Sequence, residues 1–426
     1  MEPLPVDVFQ LQRRDPAAWT ALLSRDPDTA DVIVTAVTAE PLWDTSLIAP
    51  GRTNAGPTRR VRRFVLTLAG CSDPVTFIAK QTNAAEALLY QHYGDPPATG
   101  MAACHYAHVD GDRSWVILDD VPDDFPPAAW QPGHVDSLAT TLGRIHAAHW
   151  ETPLSTYHPA IPHFLRRPEG PYTWEELRSS QAMLFEDGPR AILSRHAVRS
   201  AGRLAPQLLQ AANGVIVMRE LGGWPGVLGE RHLSAAADLL DDPVPLLAAL
   251  DDLPWTLLHG APHPEHWRLT LFDEQYLIDW SAALIGPGVL DLVAFTERYP
   301  MYYDRQPPEA PEAQRQPGLR LREMTALAEE TITDTYLLTL SAELGQRVST
   351  RAARAAIPAA RCLHVLTTWF PFFAELSNDA RSKFIWRKLN RLSESELDQI
   401  HDGPMAGIRP YLAGVFDRFL RAYRSL

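Results

Sequence analysis

Apolar and polar positions come close to alternating in the first quarter of the chain. DVIVTAVTAEPLW from Asp31, RRFVLTLAG from Arg62 and VTFIAKQ from Val75 place β-branched and aromatic residues near a period of two, the spacing of strands with one buried face. PGRTNAGPTRR between the first two is rich in Gly and Pro and reads as a turn. A small antiparallel sheet follows from this pattern. AAEALLYQHYG, Ala84 to Gly94, then changes to helical spacing and stops on Gly. SWVILDDVPDD reads as a short buried strand running into an acidic, proline-containing link, and a boundary between residues 1–121 and 122–426 is expected there.

Helical periods dominate after the link: VDSLATTLGRIHAAHW, LRSSQAMLFEDGPRAILSRH, AAADLLDD and PVPLLAALDDLP. Short strands return between Trp255 and Asp279. RQPPEAPEAQRQPG from Arg305 is too rich in Pro and Gln to pack and is expected to be an exposed loop. Long amphipathic helices fill 319–426, and no internal repeat is visible. The predicted fold class is α+β: a β-rich N-terminal unit with one helix and a larger, mainly helical C-terminal unit.

Composition adds limits to this picture. At 426 residues and 46% apolar content the chain can bury one large core or two moderate ones. Thirty-nine basic against 52 acidic residues give a net charge of −13, which repels phosphate backbones and anionic lipid heads. Neither nucleic acid nor membrane is an expected partner. Three cysteines, Cys71, Cys104 and Cys362, are too few and too scattered for a disulfide framework, which fits a reducing compartment. The start has no basic stretch followed by an apolar run, and no run of 18 apolar residues occurs; a soluble, cytoplasmic protein is expected.

The richest chemistry lies in WTLLHGAPHPEHWRL, Trp255 to Leu269, and YLIDWSAALIGPGVLDLVAF, Tyr276 to Phe295. HGAPHPEH offers His259, His263, His266 and Glu265, a set that raises zinc. Gly260, Pro262 and Pro264 forbid the helix that would align His259 with His263, so a zinc site would have to be built on a loop. The plainer reading is histidines packed in a turn between strands. Asp279 ends an apolar strand, where an unpaired charge is expensive, and magnesium is its expected partner. Asp291 reads as a cap on backbone N–H groups. Lys80 also ends an apolar strand, and Glu86 lies one turn into the next helix, in reach of an ion pair; the plainer reading is a lysine reaching solvent.

The whole ordered set, with LGRIHAAHW upstream, resembles the aminoglycoside phosphotransferase and choline-kinase-like superfamily, nearest its choline- and ecdysteroid-kinase-like branch. That superfamily's loop reads HGDxHxxN, and its metal motif reads IDW or IDF with a later D-L-A. The likeness spans about Asp31 to Phe295. It implies a bilobal, protein-kinase-like fold, with ATP and Mg2+ or another divalent metal as cofactors. On the matching positions it implies Lys80 and Glu86 at the nucleotide phosphates, Asp279 and His266 at the metal, and an adenine site at the link around Leu118 to Val121. Two letters depart. Ala261 stands where the superfamily has its base Asp, and His266 stands where it has Asn. Alanine accepts no proton, and losing a general base lowers rates by roughly 10²- to 10⁴-fold. His263 and Glu265 are the candidates to stand in. The glycines at 51 and 56 do not form a GxGxxG loop, and Arg52, Arg59 and Arg60 either meet phosphates or form a solvated face.

Two functions compete on these letters. One is an ATP-dependent phosphotransferase with impaired or altered transfer to a small-molecule hydroxyl. The other is a pseudokinase, a nucleotide-binding or protein-interaction module without catalysis. Transfer of a nucleotide, or metal-dependent hydrolysis by the histidines, is a third. Acceptor choice is expected to reside in Thr152 to Asp242 and the C-terminal helices, where some of the 12 tryptophans are available for an aromatic pocket.

Overall fold

Five antiparallel strands form the N-terminal sheet in the order β1-β2-β3-β5-β4. They are β1 Val34–Trp43, β2 Pro57–Leu68, β3 Val75–Thr82, β4 Cys104–His108 and β5 Ser114–Asp119. The computed structural model describes residues 8–25, 29–43, 57–93, 100–185, 191–300, 317–375, 380–393, 396–397 and 409–426. Gly51, Arg52 and Gly56 lie outside them, as does the Pro- and Gln-rich stretch up to residue 316.

Two short helices that the sequence pattern did not separate precede the sheet: α1 Val8–Gln12 and α2 Pro16–Leu23. Asp15 caps α2 by accepting from the Ala17 N–H, and Pro16 supplies a φ suited to the first helical position. Trp19, Leu22 and Leu23 of α2 pack with Phe64, Phe77, Ala79 and Ile117 on one sheet face. Side chains alternate between faces along a strand, so Lys80 is directed to the opposite face, as are Val116 and Leu118, which join the larger second cluster with residues of helix α3, Ala84–Tyr93.

The helical part contains α4 Pro132–Ala148, α5 Trp174–Ser180, α6 Arg195–Ser200, α7 Ala205–Leu221, α8 Glu230–Asp241, α9 Val244–Asp251, α10 Val289–Arg298, α11 Pro317–Leu344, α12 Thr350–Glu375, α13 Ala380–Leu389 and α14 Arg409–Tyr423. The helix expected across LRSSQAMLFEDGPRAILSRH is broken. Thr173 and Glu176 form a capping box that opens the short α5. Past its end, Asn213 of α7 donates to the Ala182 carbonyl and accepts from the Leu184 N–H, so that backbone is satisfied outside a helix.

Helix α12 lies along α7 at very close range. A Cβ on Gly214 would come within 1.9 Å of the Phe370 carbonyl oxygen. Gly214→Ala is therefore expected to destabilise the fold by about 1–3 kcal/mol, because backbone must move to admit one methyl; chemical denaturation of the variant beside the parent measures it.

Short strands sit between the helices: β6 Trp255–Leu258 pairs with β9 Leu284–Pro287, and β7 Trp267–Leu269 with β8 Gln275–Leu277. These two ladders carry the loops at 259–266 and 278–283. No helix among the described residues is long and apolar enough to cross a membrane.

Candidate functional site

Asn83 begins the site by ending the sheet. It stands before α3 as its cap, and its Oδ1 accepts from the Glu86 N–H at 3.0 Å. In a capping box the glutamate at this position turns back to the cap residue. Here the Glu86 carboxylate goes elsewhere: Oε2 accepts from Lys80 Nζ at 2.7 Å and from the Thr82 hydroxyl, and Oε1 accepts from the Trp280 N–H at 2.9 Å. Glu86 is fully buried. Lys80 Nζ also donates to Asp279 Oδ1 at 2.5 Å. The lysine of β3 is thus shared between a carboxylate of its own half of the chain and one that lies 199 residues further on.

Burial works against the Lys80 charge, but Glu86 and Asp279 outweigh it and hold the ammonium above its ordinary range. Burial likewise works against the Asp279 carboxylate, and Lys80, then His266, overcome it and hold that carboxyl well below its ordinary range. Asp279 adopts φ 65° and ψ 65°, a left-handed conformation that Asp tolerates better than most residues. The Ser281 hydroxyl donates to Asp279 Oδ1 at 2.6 Å, and Asn83 Nδ2 donates to the Ser281 carbonyl at 2.7 Å. Thr82, Asn83 and Ser281 were not singled out from the sequence. The N-x-x-E spacing of Asn83 and Glu86 was the signal available for the cap.

The loop at 259–266 is fixed from below. Asp291 in α10 accepts from the His259 N–H at 2.7 Å and the Gly260 N–H at 2.9 Å, the capping role its position suggested. His146 and Tyr336 support it: His146 Nε2 lies 3.4 Å from Asp291, and His146 Nδ1 lies 2.8 Å from the Tyr336 hydroxyl. Gly260 has φ +81°, and a Cβ there would meet the Ala282 carbonyl at 2.1 Å. Only glycine lets this loop approach the 280–283 turn so closely.

The three histidines of the loop have different surroundings. His259 bonds the Ile278 carbonyl through Nε2 at 2.9 Å and accepts from the Ala261 N–H through Nδ1 at 3.3 Å; both nitrogens are used. His266 Nδ1 lies 2.7 Å from the Ala261 carbonyl. A carbonyl only accepts, so Nδ1 carries the proton and, in the neutral ring, Nε2 keeps its lone pair. That nitrogen is 4.0 Å from Asp279 Oδ2. His263 is held neutral by burial first, with Arg298 next, well below the ordinary imidazole range. No group of three or more metal-binding side chains occurs among the described residues. Asp279 and His266 nevertheless offer one oxygen and one ring nitrogen toward the same space, a donor pair suited to a divalent cation whose remaining ligands come from phosphate and water.

Of the remaining candidates, Ala261 sits in this loop with its methyl where a carboxylate was sought. Glu265 is engaged by Arg298, whose Nη2 donates to its Oε1 at 3.0 Å. Leu118 lies inside the ladder, opposite Ile78 and Cys104. The chain leaves the ladder after Asp119, and Val121 packs, partly buried, against the larger core. Arg63 anchors this link through two bonds to Asp120, at 2.6 and 3.1 Å. Arg59 and Arg60 belong to β2.

Burial sets the pH response. It pushes His259 and His364 down to about 4, with His266 the next cause for His259. An unfolded imidazole titrates near pH 6.5. Between about 6.5 and 4 the unfolded chain takes up protons that the folded one refuses, so stability is full above this window and falls as pH falls. Each group contributes up to about 1.4 kcal/mol per pH unit. Urea midpoints at pH 7.5, 6 and 5 are expected to decline in that order, and a flat series would contradict the burial of these rings.

No family model matches the sequence, and no curated protein matches it. Solved structures do. Choline kinase LicA from Streptococcus pneumoniae is 14% identical, over 83% of this chain and 91% of that one, with a TM-score of 0.38. An aminoglycoside phosphotransferase from Alicyclobacillus acidocaldarius subsp. acidocaldarius DSM 446 is 16% identical, over 79% and 92%, at 0.37. A glucosamine kinase is 16% identical, over 86% and 84%, at 0.41. The solved proteins to which this chain is similar thus include a choline kinase, an aminoglycoside phosphotransferase and a glucosamine kinase.

Proposed function

We propose that the chain binds ATP together with a divalent cation at Lys80, Glu86, Asp279 and His266, and that its transfer of phosphate to a small-molecule hydroxyl is impaired or altered. The observation that carries this reading is the Lys80 ammonium held between Glu86 and Asp279. Glu86 is fully buried and Lys80 nearly so, which is expensive unless the charges are paired, and the set joins a sheet residue to the more exposed Asp279 of a loop, where phosphate oxygens could replace the Asp279 contact.

Lys80 donates to phosphate oxygens, and Glu86, fixed by Asn83, Thr82 and the Trp280 N–H, orients it. Asp279 and His266 hold the cation, which when bound neutralises phosphate charge. His266 is aimed by its bond to the Ala261 carbonyl. A ring nitrogen in place of an amide oxygen weakens the preference for Mg2+ and favours Mn2+. Leu118 and Val121 would flank the base. Ala261 leaves the attacking hydroxyl with no carboxylate, and Glu265 is committed to Arg298; His263, neutral and two residues from Ala261, is the remaining proton acceptor.

The second reading, a nucleotide-binding module without catalysis, is favoured by Ala261 alone. Calorimetric titration of ATP without metal, with Mg2+ and with Mn2+ tests both. Metal-dependent binding supports the nucleotide site, and product formation with an added acceptor then separates enzyme from module. No heat under any condition would retire both readings and leave a protein-interaction role.

A further inference from the structure

Helix α13 is basic in a chain that is acidic. Residues 380–393, ARSKFIWRKLNRLS, hold five Lys and Arg, two of the chain's three lysines among them, and neither Asp nor Glu. One face of the helix is fixed to the fold. Trp386 is buried, its ring 4.9 Å from that of Trp224 and 6.2 Å from that of Phe373, and its Nε1 donates to the Gly223 carbonyl at 3.1 Å. One turn on, Asn390 Nδ2 donates to the same carbonyl at 2.9 Å and to that of Leu221. Carbonyls left over at the end of α7 are thereby satisfied, and the rotation of α13 about its own axis is set.

That rotation decides what the other face presents. Phe384 is 65% and Ile385 44% exposed, and Arg387, Lys388 and Arg391 are exposed beside them. Lys388 follows Phe384 by four residues, its Nζ 6.0 Å from the ring centroid, and Arg391 follows Lys388 by three, so these neighbours share the outward side. No carboxylate among the described residues pairs with Lys383, Arg387, Lys388 or Arg391. Exposed arginines of α7, α8 and α12 do pair: Arg219 with Glu230, Arg231 with Asp417 and Arg354 with Asp334.

An apolar pair among unneutralised cations, on the convex side of a helix, complements a flat surface that is anionic and takes in hydrocarbon. A bilayer interface with anionic headgroups is both. Nucleic acid would meet the cations and stack a base on Phe384, but it offers nothing to the aliphatic Ile385. The net charge of −13 argued against membrane contact. At physiological ionic strength, however, charges more than about 8 Å apart are largely screened, and a helix of ten residues is about 15 Å long. The local charge of α13, not the average of the chain, therefore meets the surface.

We propose that α13 docks the protein on an anionic lipid surface, with Phe384 and Ile385 entering the headgroup region and Arg387, Lys388 and Arg391 against lipid phosphates. Docking of this kind needs no nucleotide, so it stands or falls apart from the nucleotide site.

Sedimentation of the full chain with vesicles of phosphatidylcholine and phosphatidylglycerol at about 1:1, and of phosphatidylcholine alone, tests it at low salt. Binding to the mixed vesicles is expected to be at least about 10-fold stronger, and to be largely lost at high salt. Each neutralised cation lowers binding about 5-fold, so Arg387→Gln with Lys388→Gln weakens it about 30-fold, and Phe384→Ser weakens it about 10-fold. Denaturation curves equal to that of the parent verify that Trp386 still seats the helix. The same loss of two charges in Arg144→Gln with Arg354→Gln leaves binding within about 2-fold, since Arg354 lies roughly 28 Å along α12 from Phe373. No binding by the parent chain, equal binding to both vesicles, or equal losses in the two double variants overturns the proposal. Capture of oligothymidylate or polyglutamate without vesicle binding overturns it too, and gives the patch to another class of partner.

Discussion

Asp279→Asn is expected to remove metal-dependent ATP binding, lowering affinity by at least about 100-fold. The substitution keeps the shape of the side chain and suits the left-handed backbone at this position, so the fold should survive. It takes away the negative charge that Lys80 meets and that the proposed cation would need. Lys80 would retain Glu86 and remain charged. Calorimetry with Mn2+ and ATP, beside a denaturation curve to verify folding, reads the effect. Affinity equal to that of the parent would remove Asp279 from the metal site.

Ala261→Asp carries the opposite expectation. A carboxylate placed in the loop would give an attacking hydroxyl a proton acceptor, and a positioned general base contributes roughly 10²- to 10⁴-fold. The loop is fixed on both sides of that position: Asp291 accepts from the two preceding N–H groups, and the Ala261 carbonyl is engaged by His266. Single-turnover measurements with ATP and an acceptor that binds the parent chain are the appropriate readout, because they separate chemistry from product release. An increase supports the impaired-enzyme reading. An unchanged rate in a variant that still binds ATP and acceptor supports the non-catalytic module.

Charge out of place was the legible part of the site. Lys80 and Asp279 each end an apolar strand, and a charge there needs a partner; the pairing with Glu86 and the capping by Asp291 were legible for the same reason. Thr82, Asn83 and Ser281 were not, since short polar residues beside helices and turns are common and only their bonds to Glu86 and Asp279 distinguish them. The sheet was visible through its period of two. Its edge strand β4, CHYAH, was missed because it is short and carries two histidines among five residues. The break after α5 was hidden because it depends on Asn213, more than 30 residues away from the first residue it meets, Ala182.

Helix α10 has two jobs at its two ends. Asp291 near its start holds the His259–Ala261 loop, and Glu297 near its finish is clamped by Arg361 and Arg418. Arg418 belongs to the last helix of the chain. A protein shortened ahead of that residue would strand a buried carboxylate with one cation fewer, and breaking a buried pair is disruptive. The same ten-residue helix carries Asp291 at its start. Arg418 and Asp291, in helices far apart in sequence, are thus linked through the two ends of one helix.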